Sequence, residues 1–131
     1  MVIAPILTRN PNAEGKHDMC AYYRTDNPIP NTDLPYYNFI TKFRDDGYLH
    51  KIDAGGTGCI LIKVEVLRKL AIKYQYIFEF GDIMVNGQRR TMSEDVEFCE
   101  RAITAGFEIW LDDRVRPLHF GRPTVVQYGN L

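Results

Sequence analysis

Three side chains carry most of the chemical potential of this 131-residue chain: Glu94 and Asp95, at the head of a short amphipathic segment, and His119, one strand further on. A positioned carboxylate can take a proton from a reacting group, and an imidazole can move a proton or bind a metal ion. The same types have plainer uses. Unpaired N–H groups and the helix dipole favour carboxylates at any helix start, and a single histidine is more often hydrogen-bonded structure than ligand. Residue type alone does not separate these uses, so the elements that hold the three residues have to be read first.

Ser93 is placed to cap a helix whose first turn holds Glu94 and Asp95. Val96, Cys99, Ala102 and Ile103 fall at near-helical spacing, and Glu97, Glu100, Arg101 and Thr104 occupy the other face. One face is expected to be buried. Gly106 is the expected left-handed stop, after which Phe107, Ile109 and Leu111 alternate with Glu108 and Trp110 as a strand does. Upstream, residues 53–63 combine a glycine-containing turn, Gly55-Gly56-Thr57-Gly58, with an apolar strand over 59–63 and a helix over 64–74 that turns Leu67, Leu70 and Ala71 inward. That turn lacks the G-x-x-x-x-G-K-[ST] spacing of a phosphate loop, so a tight turn is expected.

The remaining segments read as strands over 2–8, 19–24 and 48–53, a loop over 10–18 and a short helix over 36–43. Three prolines in residues 27–35 exclude a helix or a central strand there. Residues 74–90, with mixed aromatics, Gly81 and Gly87, read as a flexible loop or lid before the Glu94-Asp95 helix. Loosely alternating helices and strands predict an α/β or α+β layer in a single domain.

Composition excludes several classes. A hydrophobic content of 45% can supply a core, and a net charge of −1 gives no electrostatic drive toward nucleic acid. No run approaches the roughly 20 apolar residues of a membrane span, and no charged segment followed by an apolar signal core opens the chain, so a cytoplasmic protein is expected. Cys20, Cys59 and Cys99 are odd in number and unpaired in spacing, which predicts buried thiols rather than a disulfide framework or a zinc site.

The two patterned blocks, in this order, resemble the carboxy-terminal half of a GT-A glycosyltransferase, especially of the large inverting family 2. The first block is Asp53 through Lys63 with the helix after it. The second is Glu94-Asp95, Phe98, Arg101-Ala102, Ala105-Gly106, the apolar strand over 107–111 and His119-Phe120-Gly121. Together they span roughly residues 51–121. The resemblance implies a partial GT-A fold, a mixed sheet with flanking helices, and transfer of a sugar from a nucleotide-sugar donor to a hydroxyl acceptor. It implies Asp95 and Glu94 as the catalytic residues, with Asp95 the base, Gly56 and Thr57 near substrate, and His119 as a ligand of manganese or magnesium. Trp110, Tyr22-Tyr23 and Tyr36-Tyr37 are candidates for stacking on sugar rings, with packing the commoner use of each.

The family's D-x-D donor motif is not visible: Asp45-Asp46 and Asp112-Asp113 are adjacent pairs. Residues 1–8 resemble the strand that follows D-x-D, so the chain is expected to begin inside the fold as the acceptor-side half or a fragment of a longer enzyme. It is then expected to bind nucleotide-sugar weakly by itself, and to self-associate or dock on a partner that supplies the donor-binding half. The alternative is a binding or assembly module of the same descent, without catalysis.

Overall fold

The computed structural model describes residues 1–3, 14–16, 18–30, 32, 34–117, 119–120 and 125–126, the last two pairs by backbone alone. In chain order the elements are β1 (Val2–Ile3), β2 (Ala21–Arg24), β3 (Tyr37–Phe39), β4 (Leu49–Ile52), β5 (Ala54–Gly55), β6 (Ile60–Leu61) and α1 (Val64–Lys73). They continue with β7 (Gly81–Val85), β8 (Gln88–Met92), α2 (Glu94–Thr104), β9 (Ile109–Asp112), β10 (His119–Phe120) and β11 (Val125–Val126). The result is an α/β chain with a mixed sheet, ordered β4-β9-β1-β6, in which β1 runs parallel to β9 and the other pairs are antiparallel.

Helix α2 holds the layers together. Val96, Phe98, Cys99 and Ala102 are fully or almost fully buried, in one core with Ile3, Ile52, Ile109 and Leu111 of the mixed sheet. Each large apolar side chain buried in this way contributes about 1.5–3 kcal/mol. The helix ends as its sequence requires: Gly106 takes φ +94°, its N–H reaches the Ile103 carbonyl at 2.9 Å, and the Phe107 N–H reaches the Ala102 carbonyl at 3.0 Å. These two bonds satisfy carbonyls that the last turn leaves open. On α1, Val66 and Leu70 are buried, four residues apart on one face.

A second, three-stranded antiparallel sheet, β3-β2-β5, lies beside the first and carries Tyr22, Tyr37 and Ala54 into the same core. Here the structure departs from the helix expected over 36–43. Tyr37–Phe39 forms a strand because Tyr22, Tyr23 and Arg24 offer a pairing edge, with Tyr22 opposite Phe39 and Arg24 opposite Tyr37. Tyr22 and Phe39 also pack their rings together at 5.0 Å, and cross-strand aromatic pairs are what stabilise such a ladder.

The lid expected over 74–90 is also corrected, since most of it is the β7–β8 hairpin. Its turn is Asn86-Gly87, both at positive φ (49° and 77°), which matches the right-handed twist of the flanking strands. A Cβ on Gly87 would meet nothing within 4 Å, so a substitution there acts through the backbone alone. Gly87→Ala is expected to lower stability by about 1–2 kcal/mol, read from thermal melts, and an unchanged melting temperature would show that this turn does not hold the hairpin.

Three burial expectations change as well. Ala71 is exposed, and Val66 takes the inward position on α1 in its place. The strand over 59–63 shortens to Ile60–Leu61 at the sheet edge, where Leu61 is 74% exposed. On α2, Ile103 is 39% exposed whereas Arg101 is buried, because the chain before the hairpin folds over the helix's outer face. Among the described residues no helix is long and apolar enough to cross a membrane.

Candidate active site

The turn after β5 and the first turn of α2 meet at Asp95. Close packing places them there. A Cβ on Gly55 would stand 3.2–3.3 Å from Ile3, Ile52 and the Cys20 carbonyl, so a side chain there would have to push these neighbours back by a few tenths of an ångström. The Gly56 N–H donates to the Cys20 carbonyl at 2.8 Å, and the Cys99 Sγ lies 3.8 Å from the Gly55 carbonyl. Neither Gly55 nor Gly56 needs a positive φ, so close approach and not turn geometry calls for them.

The Thr57 hydroxyl donates to Asp95 Oδ1. The second carboxylate oxygen, Oδ2, lies 4.0 Å from where a Cβ on Gly56 would stand. Around it opens a hollow of about 250 Å³ lined by Cys20, Tyr22, Gly56, Gly58, Ser93 and Asp95. Ser93 begins α2 with its Oγ 3.5 Å from the Val96 N–H, at the limit of a capping bond, and its extended backbone swings the first turn toward the β5 turn. One carboxylate oxygen is therefore held by a hydroxyl while the other borders open space.

The hollow's other ionisable groups stay protonated. Burial pushes the Cys20 thiol up, and the negative charge of Asp95 adds to this. Burial likewise raises the Tyr22 phenol, with Cys20 and Asp95 contributing. Below the hollow, burial pushes the Cys99 thiol from its ordinary 9.0 up to about 12, so it serves as a small apolar group. Native Cys99 keeps its proton where the unfolded chain loses it. Its contribution is thus intact below pH 9.0 and is lost as pH rises toward about 12. Unfolding free energies from urea denaturation across that window are expected to fall, by at most about 1.4 kcal/mol per pH unit for one such group, and a flat profile would contradict the burial of this thiol.

Gly56, Thr57 and Asp95 come together. Glu94 shares the first turn of α2 but does not line the hollow. Trp110 is placed elsewhere: Ile109 and Leu111 turn into the core, so alternation along β9 sends Trp110 to the opposite face, where its Nε1 donates to Glu108 at 3.2 Å. The backbone of His119 pairs with Val126 in the β10–β11 ladder, and its side chain lies outside the described residues. Among the described residues no three His, Cys, Asp or Glu side chains are grouped to hold a metal ion. The expected manganese or magnesium ligand, the His119 imidazole, lies outside the described residues.

Cys20 and Tyr22 as lining residues follow from β2 pairing with β5, and Ser93 from α2 packing against β5, contacts that no local spacing announces. His50 has a structural environment: it is buried, stacked on Phe43 at 3.6 Å and 3.0 Å from Asp113 Oδ2. The chain matches no protein-family model, no curated protein and no solved structure.

Proposed function

We propose that this chain is a GT-A glycosyltransferase of the family 2 type, or the carboxy-terminal portion of one, moving a sugar from a nucleotide-sugar donor to a hydroxyl. The observation that carries this reading is the Asp95 carboxylate, with one oxygen held by Thr57 and the other bordering a hollow beside a residue without a side chain. An acceptor hydroxyl is a poor nucleophile at neutral pH. In the proposed step it enters over Gly56 and donates to Asp95 Oδ2. Its oxygen bonds to the sugar's anomeric carbon as the bond from that carbon to the nucleotide diphosphate breaks, with the electron pair leaving on the diphosphate and the proton passing to Asp95. Thr57 keeps the carboxylate from turning away, which limits the geometry it must find at the moment of attack.

The test is a mass-spectrometric transfer assay with panels of nucleotide-sugars and hydroxyl acceptors, on the chain joined to a donor-binding half. Sugar addition with release of the nucleoside diphosphate is the expected result. Absence of transfer across the panels, with donor bound, would remove the reading.

The non-catalytic assembly module has one observation in its favour. Leu61, on the strand that ends the mixed sheet among the described residues, and Ile72 on α1 are 74% and 88% exposed, and exposed apolar groups of this kind invite a partner. Light scattering separates the two readings when combined with the transfer assay: stable association without turnover fits the module, and turnover fits the enzyme.

A further inference from the structure

On the other flank of α2 lies a larger hollow, of about 320 Å³, that the transfer step does not use. Its volume falls at the small end of the roughly 300–1,000 Å³ typical of ligand sites. Three tyrosines, Tyr36, Tyr37 and Tyr74, line it, and tyrosine offers a flat apolar face with a polar tip.

The charges in its wall are already matched. Asp82 is paired with Arg89, Glu97 with Arg101 at 2.8 Å and Glu100 with Arg24 at 3.1 Å, while Tyr37 donates its hydroxyl to Glu100. A phosphate or an ammonium would meet, in each of these pairs, a partner of its own charge beside the opposite one. A neutral hydroxyl meets no such repulsion, and a carboxylate has about four lone-pair sites that a single guanidinium does not exhaust. Ring faces for C–H groups combined with charge-neutral acceptors for O–H groups suit a sugar ring.

The two hollows are neighbours. Tyr22 lines the Asp95 hollow and Tyr37 lines the second, and their rings meet edge to face with centroids 6.2 Å apart. We propose that the second hollow binds a neutral sugar unit of the acceptor, next to the unit that reacts at Asp95. The word acceptor rests on the transferase reading, whereas sugar binding in this hollow does not.

The experiment is an amide NMR titration of the 15N-labelled chain with N-acetylglucosamine, galactose and maltose. Shifts are expected at residues 36–37 and 97–104, and they should persist in Asp95→Asn. Thr104 lies at an exposed position of α2 on the rim of the hollow, so Thr104→Trp fills the space with little risk to the core. Loss of the shifts in that variant, with its thermal melt retained, is the supporting result. The proposal is overturned if none of the three sugars shifts these residues, if the shifts survive Thr104→Trp, or if inorganic phosphate or methylammonium shifts them more strongly. Sugar binding here without transfer supports the hollow as a sugar site and removes only the transferase reading. Transfer without a response at these residues removes only the second site.

Discussion

Asp95→Asn is expected to lower sugar transfer by about 10² to 10⁴-fold, the usual contribution of a general base, while the fold persists. The asparagine keeps the shape of the side chain, and its carbonyl oxygen can still accept from Thr57, so the contact between the β5 turn and α2 survives. What disappears is the basic oxygen beside Gly56. The loss should fall on kcat more than on the acceptor's KM, because the proton is taken in the transition state and not on binding. Glu94→Gln is the matched control: it removes a carboxylate from the same helical turn but not from the hollow, and it should retain most of the turnover. Thermal melts of both variants separate chemistry from folding. Near-normal transfer by Asp95→Asn would remove Asp95 as the base, and equal losses in the two variants would point to the charge of the helix start instead.

Helix α2 was legible almost from end to end, since its cap, its buried stripe and its glycine stop are local signals within fourteen residues, Ser93 to Gly106. Tyr37–Phe39 was not, because a short run of aromatic and apolar residues suits helix and strand alike until a partner decides. That partner, β2, lies far enough away in sequence that no window contains both. The β7–β8 hairpin carried one strong sign, Asn86-Gly87, but Gln88–Met92 has no apolar alternation to support it, so the segment read as loop. At the site, Gly56, Thr57 and Asp95 could be singled out one by one, whereas their meeting depends on α2 packing against β5. The position of Trp110 was readable in principle: if Ile109 and Leu111 face the core, the residue between them faces away.

Arg101 shows where helical periodicity stops being informative, and its removal is expected to have the largest effect on stability among the charged residues described. The charged-face reading puts it in solvent, yet it is 7% exposed. Its Nε donates to Glu97 at 2.8 Å, its Nη2 to Glu79 at 2.9 Å and its Nη1 to the Tyr76 carbonyl at 2.8 Å, and its guanidinium lies over the Tyr74 ring at 4.1 Å. One planar fork thus ties the chain between α1 and β7 to the outer face of α2. Breaking a buried pair from one side costs about 3–5 kcal/mol, since the partner charge is left without its counter-ion. Arg101→Ala belongs at the lower end of that range, because Glu79 is 46% exposed and water can recover it, while Glu97, at 18%, is less accessible. Arg101→Lys should not restore the loss, because an ammonium cannot serve three acceptors in one plane or stack on Tyr74 in the same way. In the double variant Arg101→Ala with Glu97→Gln, part of the stability should return, because the stranded carboxylate is gone; urea denaturation of the parent chain, Arg101→Ala, Glu97→Gln and the double variant forms the cycle. An Arg101→Ala cost below about 1 kcal/mol, in the range of surface pairs, would mean that the fork is solvated in solution and that α2 holds its place by apolar packing alone.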